Sequence, residues 1–127
     1  MRLLLDTHVL LWWLADDRRL GARARALIGA ADNTVYVSAA SAWEISIKRA
    51  LGKLKAPASL DASLDEAGFE RLDIAFAHGE RAGALPPLHN DPFDRMLIAQ
   101  ATLEELKLVT ADEQFAGYGV RLVSALA

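Results

Sequence analysis

A chain of 127 residues fits one domain and is long enough to bury a core without staples; having no cysteine, it excludes a disulfide framework, a thiolate metal site and a cysteine nucleophile. A net charge of −3 and a pI of about 5.5 exclude nucleic-acid binding through a diffuse basic surface, so any such chemistry needs a local basic patch or bound cations. Hydrophobic residues make up 53% of the chain, yet no apolar run approaches the ~18 residues of a membrane span, and the first residues read as a strand rather than a signal peptide. The expected location is cytoplasmic, with the excess hydrophobicity placed in a buried parallel sheet or a partner interface.

Residues 3–5, Leu-Leu-Leu, form a short apolar run typical of a buried parallel strand, ending at Asp6. Residues 8–15 and 20–31 are predicted helices, the second with Leu20, Ala24, Leu27 and Ile28 at helical spacing. Asp32-Asn33 breaks it, and the β-branched, aromatic stretch 34–38 is a strand. Residues 41–51 return to helix, with Trp43, Ile47 and Leu51 four apart and Gly52 as the stop. A helix capped by Ser59 runs to 67, a short strand covers 70–74, and a weak helix covers 75–84 before Pro86-Pro87. Asp91 as cap and Pro92 at the first helical position open a helix to about 105. Residues 108–110 form a strand, 111–115 a helical turn and 120–123 a last strand. Strands alternating with helices predict a single α/β domain over residues 1–127, with a mainly parallel sheet covered on both faces. Ligand sites in such sheets lie beyond the carboxyl ends of the strands.

Four acids follow strands. Asp6 comes directly after the first, Glu44 one to two turns after the second, Asp94 at the start of the helix opened by Asp91-Pro92, and Asp112 two residues after Leu-Val-Thr. Each has a local alternative. Asp6 can cap its helix, Glu44 can pair with Lys48 at i+4, Asp94 suits an acidic first turn, and Asp112 falls in a capping-box pattern ending at Glu113. Together they form a group that must protonate or bind cations, and oxygen-only donors suit Mg²⁺ or Mn²⁺. Such a cluster can direct hydrolysis of a phosphodiester.

The segments Leu-Leu-Leu-Asp6-Thr-His-Val-Leu-Leu-Trp-Trp-Leu, Ser-Ala-Ala-Ser-Ala-Trp-Glu44-Ile-Ser-Ile-Lys, His89-Asn-Asp-Pro-Phe-Asp94-Arg-Met-Leu-Ile-Ala-Gln-Ala and Leu-Val-Thr-Ala-Asp112 resemble, in order, the four motifs of VapC-like PIN domains. The third is the most specific. The resemblance implies a PIN-like three-layer α/β/α sandwich and Mg²⁺- or Mn²⁺-dependent endoribonuclease activity. It also implies the role of toxin in a type II toxin–antitoxin pair, inhibition by a cognate antitoxin and a homodimer. It makes Asp6, Glu44, Asp94 and Asp112 the catalytic, metal-holding acids. The family pattern favours Asp94 over Asp91, which already has a capping task.

Thr7, Asp91 and Thr110 are candidates for orienting the acids or the metal, against local backbone bonding for the two threonines. His8 and His89 are available as ligands or proton shuttles but are not required beside four carboxylates; His78 has no motif around it. Lys48, Arg49, Lys53 and Lys55 form the densest basic stretch and, with Arg95, are candidates to guide an RNA backbone. Arg18, Arg19, Arg23 and Arg25 are read as ordinary surface or an antitoxin contact, and one of the adjacent Trp12 and Trp13 as core with the other facing a partner. The expected reaction is in-line attack by water, leaving 5′-phosphate and 3′-hydroxyl ends. No histidine pair is evident for attack by the ribose 2′-hydroxyl. Alternatives are a housekeeping RNA-processing nuclease and a non-catalytic receiver-like or interaction module. A receiver needs an acid pair after the first strand and a late lysine; the chain has a lone Asp6 and Arg121 there.

Overall fold

The computed structural model describes residues 1–127. Five strands, β1 (Arg2–Leu5), β2 (Thr34–Ser38), β3 (Glu70–Leu72), β4 (Lys107–Thr110) and β5 (Leu122–Ser124), form one sheet in the order β3-β2-β1-β4-β5. Every neighbouring pair is parallel. The helices are α1 (Thr7–Leu14), α2 (Ala22–Gly29), α3 (Ala39–Ala50), α4 (Leu60–Ala67), α5 (Phe76–Ala84) and α6 (Pro92–Leu103), and a 3-10 turn covers Glu113–Tyr118.

The central strand explains the apolar opening of the chain. In a strand successive side chains leave by opposite faces. Leu3 and Leu5 enter one core with Val9, Leu10, Ile28, Val35, Val37, Ile45 and Leu64, drawn from α1 to α4 and β2. Leu4 enters the other, with Leu97, Ile98 and Ala101 of α6, Leu108 and Phe115. All three leucines are fully buried. Three layers result, with a wholly parallel sheet between two helical layers.

Helix boundaries move where local chemistry is stronger than periodicity. α1 starts at Thr7 because Asp6 caps it, and α3 starts at Ala39 because Ser38 caps it, two residues before the predicted start. α2 is shorter than expected, running Ala22–Gly29. Gly68, at φ +75°, ends α4 in the left-handed region. The predicted turn at 111–115 is the 3-10 segment Glu113–Tyr118, and β5 lies two residues later than expected at its start.

The strand order places the change of direction between β1 and β4, each running onward from there to the opposite edge. Ligands of open parallel sheets bind at this crevice, at the carboxyl ends of the strands. Asp6 and Thr110 are the residues at those ends.

Candidate active site

Asp6 is both helix cap and candidate site residue. Its Oδ1 accepts the backbone N–H groups of His8 (2.7 Å) and Val9 (3.3 Å), and its Oδ2 accepts the Thr110 hydroxyl at 2.6 Å. The same Thr110 oxygen accepts the Asp112 N–H at 3.0 Å, so one hydroxyl spans the ends of β1 and β4 and fixes two acids. Thr110→Val keeps the shape and removes both bonds. It is expected to cost ~1–2 kcal/mol in a chemical melt, because a buried carboxylate oxygen loses its donor. Thr7 takes a different task. Its hydroxyl bonds Ser41 at 2.9 Å and joins α1 to α3 without touching an acid.

Glu44, in the second turn of α3, is 2% exposed. Its Oε2 bonds Lys48 Nζ at 2.5 Å, while its Oε1 is buried with no partner. The i,i+4 pair is therefore no solvent-face decoration. Lys48 is raised above its ordinary value first by the bond to Glu44, with Asp91 and Asp94 adding to it. Lys48 is the one lysine or arginine bonded to any of these carboxylates.

Asp91 caps α6 through its Oδ1, which accepts Phe93 N–H (2.8 Å) and Asp94 N–H (3.0 Å). Asp94 then enters the first turn of α6. Its carboxyl is pushed up to about 7, first by burial and then by the negative charges of Asp91, Asp6 and Glu44, with His89 opposing. Those influences place Asp94 among the other acids of the site.

His89 is the residue that sequence reasoning underweighted. Its Nε2 lies 3.0 Å from Asp94 Oδ2 and 3.2 Å from Asp112 Oδ2. Its Nδ1 accepts the Asp91 N–H at 3.2 Å, and its ring lies against Phe115 at 5.6 Å. The signal was present: a histidine two residues before a helix-capping Asp, in a loop bracketed by prolines. His8 is exposed, with Nδ1 3.9 Å from Asp6. His78 is buried and structural, accepting Ala75 N–H at 2.9 Å. Gln100 was also missed. It is fully buried, accepting from Ser38 (2.5 Å) and donating to Asp73 O (3.2 Å), which ties α6 to β2 and to the loop before α5. A lone amide in the apolar run of α6 was its signature.

Two of the basic candidates for a nucleic-acid backbone are otherwise engaged. The terminal nitrogens of Arg95 donate to the carbonyls of Ala82, Gly83, Leu85, Pro86 and His89, so its guanidinium organises the loop entering the site. Arg49 donates to Pro57 O. Lys53 is exposed, and Lys48 faces the acids. Trp12 and Trp13 both lie partly buried against the core, under Arg19 and beside Phe69 respectively. Trp43 is the exposed one, at 62%, edge-on to Phe93 at 5.3 Å.

Of the predicted acids, Asp94 and Asp112 lie with His89 in the one group close enough to share an ion, while Asp6, Glu44 and Asp91 act on Asp94 through their charge. An orphaned buried carboxylate oxygen, a carboxyl raised by burial and by its like-charged neighbours, and a donor set made mostly of carboxylates fit a hard divalent cation. No helix of the chain is long and apolar enough to cross a membrane.

A search of curated protein sequences finds no match. Among solved structures, the chain is similar to VapBC2 from Rickettsia felis bound to a promoter DNA fragment, with 17% identity, 98% of each chain covered and a TM-score of 0.68. It is similar to a toxin–antitoxin complex from Klebsiella pneumoniae, with 22% identity, 94% of each chain and a TM-score of 0.65. It is also similar to DNA-bound VapBC from Salmonella typhimurium, with 16% identity, 98% of each chain and a TM-score of 0.65. At those identities the likeness shows the fold. The family model for the PIN domain matches residues 3–120, and the chain therefore belongs to the PIN domain family, whose members are generally nucleases that use divalent metals.

Proposed function

We propose that this protein is a Mg²⁺- or Mn²⁺-dependent endoribonuclease acting as the toxin of a type II toxin–antitoxin pair. The observation that carries the reading is the set of acids at the β1–β4 switch point, with Glu44 Oε1 buried and unpartnered among them. Asp6, Glu44, Asp94 and Asp112 would hold the cation, and Asp91 and Thr110 fix their orientation. When bound, the ion supplies positive charge that acidifies water and offsets the negative charge developing at the phosphoryl group. Asp6 is rigidly positioned, since two backbone N–H groups and a hydroxyl hold its oxygens. Lys48 sets the charge balance at Glu44 and leaves one oxygen free. With Arg95 and Arg49 committed to carbonyls, the contribution of cations to phosphate binding falls to the metal, Lys48 and Lys53.

The antitoxin partner is supported by the similar solved structures, which are toxin–antitoxin complexes. Trp43 and Ile47 on α3 and Leu51 at its C-terminal cap, all exposed, offer apolar surface for it or for a second copy in a homodimer. A cytoplasmic location and a single domain over the whole chain belong to the same reading.

The test is incubation of purified protein with total RNA in Mg²⁺, in Mn²⁺ and in EDTA, beside Asp94→Asn and Asp91→Asn. Cleavage is expected in either metal, absent in EDTA and in Asp94→Asn, and retained in Asp91→Asn, where the amide still caps α6. Induced expression without antitoxin is expected to arrest growth. Folded, inhibitor-free protein that leaves all RNA intact would sink the nuclease reading, and normal growth would sink the toxin role.

A further inference from the structure

Two helices that carry candidate acids also carry an aromatic residue directly before the acid. On α3 Trp43 precedes Glu44, and on α6 Phe93 precedes Asp94. The two rings meet, with centroids 5.3 Å apart and planes at 79°. An edge contact of this kind fixes the indole against α6 and leaves a ring face uncovered. Trp43 is accordingly 62% exposed, while Phe93 is half-buried. Trp12 and Trp13 both pack against the core, so folding accounts for two of the three tryptophans and not for this one. The charge pattern says what the open indole can contribute. The chain has a net charge of −3, and the acids around Asp94 repel a phosphate backbone. Arg49 and Arg95 are bonded to carbonyls, and Lys48 to Glu44. RNA held at this end of the sheet therefore needs contacts other than charge, and base–aromatic stacking is one.

We propose that Trp43 is a stacking platform for an unpaired base of the RNA substrate, set between the helices that carry Glu44 and Asp94. The platform rests on the ribonuclease reading and gives that site a substrate determinant. A base inside a continuous duplex has both faces covered by its neighbours, so the indole takes bases from single-stranded segments and loops. A purine offers it more ring than a pyrimidine and is held more firmly. Phe93 is a positioning residue, since its ring holds the indole without covering it on both sides. Ile47 and the capping Leu51 lie one and two turns further along α3 and remain open to a protein partner.

The test is binding of fluorescein-labelled RNA by anisotropy in EDTA, beside cleavage in Mg²⁺, for the wild type, Trp43→Phe and Trp43→Leu. The probes are oligo(A), oligo(U) and a hairpin duplex of the same length. The wild type is expected to bind oligo(A) most tightly, oligo(U) less and the duplex least. Trp43→Leu keeps an apolar side chain without a π face. It is expected to lose ~10–50-fold in affinity for oligo(A), to lose the preference for A over U, and to raise KM by a similar factor with kcat nearly unchanged. Trp43→Phe is expected to keep most of the affinity, which guards against a misfolded leucine variant. RNA is expected to quench tryptophan emission in the wild type and much less in Trp43→Phe. Folded Trp43→Leu that binds and cleaves oligo(A) as the wild type does would overturn the platform. So would a variant with unchanged RNA binding whose sedimentation falls from dimer to monomer, which would place Trp43 between two copies of the chain. Wild-type RNA binding without cleavage in Mg²⁺ would instead overturn the nuclease reading.

Discussion

Asp94→Asn is expected to abolish cleavage while making the metal-free protein more stable at neutral pH. The two effects have one cause. Asp94 is pushed up to about 7 by burial and by Asp91, Asp6 and Glu44, against 3.8 for an ordinary aspartate. Between those values the folded chain keeps a proton that the unfolded chain has released. Raising the pH strips it from the folded state alone, so this group makes stability fall from about pH 4 to about pH 7 and flatten above. Full conversion of the shift would be about 4 kcal/mol; partial exposure of the side chain reduces the expected effect to about 2 kcal/mol. Denaturant melts in EDTA at pH 5 and pH 8 should show the wild type losing stability and Asp94→Asn losing much less. The asparagine still offers an oxygen to His89, so the loop is kept. Added Mg²⁺ should recover the wild type at pH 8 and leave the variant unchanged. Cleavage should fall by about 10³-fold or more, above the ~10–100-fold typical of groups that only orient a ligand. A variant with the same pH slope as the wild type would remove Asp94 from the electrostatic centre.

Sequence made some of this legible for identifiable reasons. Leu3 to Leu5 read as a buried parallel strand because both faces of β1 are covered, and no polar alternation interrupts them. The Asp91-Pro92 pair announced α6 because cap chemistry is local. The acids after the strands could be gathered into one place because parallel topology puts all strand ends on one side. Long-range pairing was not legible. Nothing near Thr110 in the sequence names Asp6 as its partner across 104 positions. The bond between Ser38 and Gln100 is likewise a product of sheet order. Arg95 was not legible either: a basic side chain beside a candidate catalytic acid suggested phosphate binding, and its guanidinium instead bonds carbonyls of α5 and of the loop that follows.

Arg95→Ala is therefore expected to act through stability before chemistry. The loop from Leu85 to Asp91 has few backbone partners of its own; Leu88 N–H to Pro86 O, at 2.9 Å, is one. The guanidinium bonds five carbonyls at 2.8 to 3.4 Å across α5 and the loop, while Tyr118 holds His89 N–H and donates to Pro86 O at 2.9 Å. Removing a planar fork that serves several half-buried acceptors should cost ~2–4 kcal/mol in a chemical melt. Arg95→Lys should recover little, since one ammonium cannot reach both sides of the loop in the same geometry. The acids are displaced only indirectly, through His89 and Asp91, so cleavage at saturating metal should fall by ~10–100-fold, with metal affinity changed as well. A phosphate-binding arginine would behave in the opposite way. Its loss would leave the melt unchanged, raise KM and flatten the salt dependence of RNA binding. Melts and KM measured on the same preparation separate the two roles: an unchanged melt with a raised KM would return Arg95 to the substrate, whereas a lowered melt with a nearly unchanged KM would place it in the loop.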